Sequence, residues 1–173
     1  GELEYEATAT LVSNDAYANP NEVSLSGSGL RQDWPIGEEF WSYQLPYDFD
    51  ISIKAIHSIK DVTGDNVNDV IVCSEDNYIR CFNGNSHMNA DLIWEHFVYS
   101  GPVFGQNDLD VADLNDDGIE EVIVGTTGGD RSIMAISGNT GTLLWKFNTE
   151  NSIEAPALIL DNTVYIGNLD GFL

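Results

Sequence analysis

An all-β fold is predicted, organised as four-stranded antiparallel blades of a partial β-propeller. Two observations predict it: the sequence repeats itself at a fixed period, and strand-type runs alternate with clusters of Asp, Asn and Gly. Residues 61–72 lie over residues 113–124 without a gap, an offset of 113 − 61 = 52. Trp41, Trp94 and Trp145 keep the same beat, at steps of 53 and 51. Self-similarity at this length marks one supersecondary unit per repeat, and four strands in ~40 to 50 residues is the pattern of a propeller blade. A β-sandwich with chance similarity would not carry twelve aligned positions and a recurrent tryptophan.

Within one period the strands are expected at 51–59, 70–74, 78–82 and 92–97. Each is rich in β-branched and aromatic residues and bounded by turn formers. The next period places strands at 109–112, 122–126, 132–136 and 142–147, and a third begins with 155–160 and 164–167 around a turn at Asp161-Asn162. Phe40-Trp41-Ser42-Tyr43 is expected as the outer strand of a preceding blade. No segment shows helical periodicity. The domain reading is 1–30 as the closing strands of a separate β module, 31–37 as a linker containing Trp34, and 38–173 as blades. A closed propeller needs at least about four blades, so the chain reads as an excerpt of a longer protein or as one contributor to a shared ring. Gly1 leads straight into the strand-like residues 2–10, which places any export signal upstream or already removed.

Composition narrows the partners. Hydrophobic residues make up 42% and aromatics 10%, enough for a packed core, while 29 acidic residues against 6 Lys and Arg give a net charge of −23. Such a field disfavours nucleic acid, whose phosphates would meet a like charge. No run reaches the ~20 apolar residues of a spanning helix, so no membrane insertion is expected. Cation sites, a solubilising surface and adaptation to salt all account for acidity of this kind. The two cysteines, Cys73 and Cys81, flank a turn-like Glu75-Asp76-Asn77. They read either as a cross-strand disulfide, suited to an oxidising compartment, or as two buried core thiols.

The acidic clusters carry the chemistry. Calcium takes six to eight hard oxygen ligands, and a tight turn aims alternate residues at one point. In the second loop the candidate ligands are Asp113, Asn115 and Asp117 by side chain, Ile119 by its carbonyl, and Glu121; Gly118 permits the backbone twist. In the first they are Asp61, Thr63, Asp65, the Val67 carbonyl and Asp69, with Asn66 where the glycine stands in the second loop. Asn tolerates left-handed geometry. The competing reading is an Asx-turn connection whose carboxylates only accept backbone amides. Five carboxylates within nine residues, with no cation nearby in sequence, favour a bound divalent ion. Magnesium, with its stricter octahedral shell, suits such a loop less well. An EF-hand needs a Glu at the twelfth position, where this chain has Val124 inside a strand.

These residues resemble two related families. The Asp-rich loop running into Val-Ile-Val resembles the FG-GAP repeat of integrin-type propellers, from which Thr63 and Glu121 each depart once. Residues 133–147, followed by Ala155-Pro156-Ala157 and residues 164–171, are similar to the quinoprotein-like (PQQ-type) propeller repeat. Residues 7–15, Asn19-Pro20 and residues 23–29 resemble the last two strands of an immunoglobulin-like module of the abnormal-spindle type. What the resemblance implies is an extracellular or cell-surface, calcium-stabilised propeller fragment that binds a protein or polysaccharide in adhesion. The alternatives are a supporting part of a secreted polysaccharide-degrading enzyme, or an architectural spacer or filament subunit that self-associates through open blade edges.

Catalysis in this chain itself is not expected. His57, His87 and His96 are scattered, no nucleophile-elbow pattern is present, and the cysteines lack metal-ligand spacing. The recurrent tryptophans offer flat faces for sugars, yet their fixed place in each repeat argues for packing.

Overall fold

A computed structural model describes the backbone strands 5–10 and 22–27 and, with side chains, residues 39–45, 51–98 and 109–171. The linker and Trp34 lie outside the described residues. Contacts divide the chain into two units, Gly1–Glu38 and Glu39–Leu173. In the first, β1 (Tyr5–Thr10) pairs antiparallel with β2 (Glu22–Gly27).

The second unit is all-β, with no helix among the described residues. Sheet 1 consists of β4 (Ile53–Ile59), β5 (Asp69–Ser74), β6 (Tyr78–Phe82) and β8 (Leu92–Phe97), each antiparallel to the next. Sheet 2 repeats the plan with β9 (Leu109–Ala112), β10 (Glu121–Gly125), β11 (Ser132–Ser137) and β12 (Leu143–Asn148). The hairpin of β13 (Leu158–Leu160) and β14 (Thr163–Tyr165) follows. The repeat seen in the sequence is thus a repeat of sheets, and these sheets do not close on themselves. A register shift recurs in both, at Cys81/Phe82 in sheet 1 and at Ala135/Ile136 in sheet 2.

Side chains alternate across a strand, so each sheet has two faces to cover. One core cluster joins Ile71, Cys73, Ile79, Cys81 and Trp94 of sheet 1 to Val122, Val124, Met134 and Ile136 of sheet 2. The intervening residues of sheet 2, Ile123, Ile133 and Ala135, face the other way and pack with Ile153, Ile159, Val164 and Ile166. Sheet 1, sheet 2 and the hairpin therefore stack in chain order.

Polar contacts lock the first seam. Trp94 Nε1 donates to the Gly138 carbonyl at 2.7 Å, His96 Nδ1 donates to the Gly141 carbonyl at 2.8 Å, and the Lys60 amide donates to Glu120 Oε2 at 2.8 Å. Trp94 is accordingly a core residue, 8% exposed, whereas Trp145 in the same place of sheet 2 is 38% exposed.

One sequence expectation changes form, and the open choice for the cysteines falls to two buried core thiols. The Phe40-Trp41-Ser42-Tyr43 segment is not an antiparallel outer strand: β3 (Trp41–Ser42) pairs in parallel with β7 (Met88–Asn89), inside the β6–β8 connection. Aromatic packing holds it there, the Trp41 and Tyr43 rings lying 5.9 and 4.8 Å from that of Phe82. The cysteines carry no disulfide. Cys73 pairs with Ile79 and Cys81 with Ile71, so the two thiols are diagonal neighbours rather than directly opposed. Burial, with the Asp69 charge adding to it, pushes the Cys81 thiol up to about 12, which keeps it protonated and unreactive.

Candidate functional site

Both acidic loops occupy the same place in their sheets, joining the first strand to the second: β4 to β5 in sheet 1, β9 to β10 in sheet 2. Their backbones match as well. Gly64 (φ 83°) and Asp116 (φ 60°) are equivalent by the 52-residue offset, as are Asn66 (φ 66°) and Gly118 (φ 89°), and all four are left-handed. Asn66 does adopt the conformation that glycine adopts in the second loop.

In the first loop Asp61 is the hub. Its Oδ1 accepts the amides of Thr63 (3.0 Å), Gly64 (2.7 Å) and Asp65 (3.2 Å) and the Thr63 hydroxyl (3.1 Å), while Oδ2 accepts the Asn66 amide (2.6 Å). Desolvation pushes this carboxyl up, but the amides, that of Asn66 foremost, hold it below the ordinary range. Asp65 Oδ1 accepts the Val67 amide at 2.9 Å. The second loop repeats the scheme with fewer bonds. Asp113 accepts the amides of Asp117 (3.1 Å) and Gly118 (2.8 Å), and Asn115 Oδ1 accepts the same Asp117 amide (2.9 Å). Asp117 Oδ1 accepts the Ile119 amide at 2.8 Å.

The last candidate in each loop is buried at the start of the second strand. Asp69 Oδ2 accepts the Val62 amide (2.8 Å) and Oδ1 the Gly84 amide (2.9 Å). Glu121 Oε2 accepts the Leu114 amide at 2.8 Å, the equivalent bond. Burial raises the Glu121 carboxyl and the negative charges of Asp117 and Asp113 raise it further, against the Leu114 bond. Among the described residues, none of Asp113, Asp117 and Glu121 has a Lys or Arg within ion-pair distance.

Asp113 and Asn115 thus converge on the Asp117 amide, the Asp117 carboxylate turns to the Ile119 amide, and Glu121 lies within the field of Asp113 and Asp117. Asp61, Thr63 and Asp65 are joined likewise, with Asp69 anchoring the loop end. Among the described residues no group of three or more His, Cys, Asp or Glu side chains stands in position to hold a metal ion; the carboxylates face backbone amides. As a donor set, five hard oxygens on a loop of fixed twist, with excess negative charge and no soft ligand, fit calcium.

One polar cluster was not foreseen. Arg80 and Asp76 form an ion pair at 2.6 Å with both side chains 3% exposed. Arg80 also donates to Ser74 Oγ at 2.9 Å and to Glu95 at 3.3 Å, and lies 4.7 Å from the Tyr78 ring centroid. Charge signs alone gave no cue to it, because Asp76 reads as one more turn residue.

No family model matches this chain, and no curated protein matches it either.

Proposed function

We propose that this chain is a calcium-stabilised segment of an extracellular β-propeller, acting in protein or polysaccharide binding rather than catalysis. The observation that carries the reading is the pair of equivalent loops: same position in the sheet, same left-handed residues, same alternation of acidic oxygens. Stacking of four-stranded sheets in chain order supports the blade interpretation, and unbalanced carboxylates at Glu121, Asp113 and Asp117 support a divalent cation. Free calcium outside cells is in the millimolar range where modest sites fill.

When bound, the ion would neutralise the loop carboxylates and draw the alternate oxygens together. The chain's own residues do the rest. Asp69 and Glu121 hold each loop to its strand, and Asn66 and Gly118 permit the turn. Rigid loops at equivalent corners of successive sheets would then give a ligand a fixed face.

Thermal unfolding with calcium and with excess chelator, together with a metal count on the purified chain, tests this. At free calcium 100-fold above the dissociation constant, stabilisation is about 2.7 kcal/mol. For a domain of this size that is on the order of 5 to 10 °C. Asp117→Ala should remove most of the shift contributed by the second loop and leave the fold in chelator unchanged. A chain that carries no metal and melts identically in both buffers overturns the cation reading.

A further inference from the structure

We draw no further inference here: the strongest candidate, the depression of about 460 Å³ that Trp41, Tyr43, Ile56, Val72 and Arg80 line on one face of sheet 1, is already covered in part by Trp41 and Tyr43 packing on Phe82, and nothing in the structure shows what else would occupy it.

Discussion

Gly138→Ala should lower the melting midpoint by roughly 10 °C, from a loss of about 3 kcal/mol. The residue is a junction of three elements. A Cβ there would overlap the Glu120 carbonyl oxygen and Ile59 Cδ1. Its amide donates to that same Glu120 oxygen at 3.1 Å, and its carbonyl accepts the Trp94 indole. Because the obstruction is backbone, relief requires the turn after β11 to leave the acidic loop, which also pulls it from the seam. Gly84→Ala should behave alike, since a Cβ would overlap the Asn68 carbonyl, the counterpart of Glu120 by the 52-residue offset. Gly64→Ala is the control. Nothing lies within 4 Å of a Cβ there, and only the left-handed φ of 83° opposes it, at about 1 kcal/mol. Denaturant titration of the three variants ranks them; equal losses at Gly138 and Gly64 would show that the close approach does not matter.

Arg80→Leu should cost about 3–5 kcal/mol, because it leaves the Asp76 carboxylate buried without its cation. Replacing both, Arg80→Leu with Asp76→Leu, should recover most of that loss, since the remaining pocket is then apolar. Acidity provides a second readout. Desolvation raises the Asp76 carboxyl, but the hydrogen bonds from Arg80, Ser74 and the Tyr78 amide, with the Arg80 charge, together outweigh it and hold the group below its ordinary 3.8. A depressed carboxyl stabilises the fold above its unfolded value, and that contribution is lost as pH falls from there through the folded value. The parent should therefore shed this contribution below about pH 4, and the double variant should not. Melting curves across pH 2 to 7 compare the two chains; parallel acid profiles would assign the loss to other carboxylates.

The strands were legible because their cause is local. β6, β8 and β9 coincide with the expected spans, and the other strands of sheets 1 and 2 lie within two residues of theirs, each run being a short apolar alternation closed by Asp, Asn or Gly. The left-handed loop positions were legible for the same reason: the offset that aligns Asn66 with Gly118 transfers a backbone requirement. What failed to show was partner choice. The tryptophan beat marks residue 41 but cannot say that Phe82 rather than a neighbouring strand receives it. By contrast, Cys73 lies three residues before the centre of the Glu75-Asp76-Asn77 turn and Cys81 five after it, so a hairpin centred on that turn pairs them with Ile79 and Ile71 and sets the thiols diagonally. The Arg80–Asp76 pair escaped because burial of a charge depends on the covering elements, not on the strand that bears it.

The seam between sheets 1 and 2 has a bearing on how such a chain lengthens. Every strand of a four-stranded sheet pairs with strands adjacent to it in sequence, apart from the short β7 lying within one connection, and each sheet then leans on its successor. A duplication of one 52-residue unit would insert a complete sheet with one face for the sheet before and the other for the one after, without rewiring any pairing. A duplication cut at any other length would sever a hairpin. Selection among duplicated genes would therefore act on whole units. Drift would be tolerated where neighbours differ, as at Thr63 and Asn115, and resisted where the seam requires a residue without a side chain.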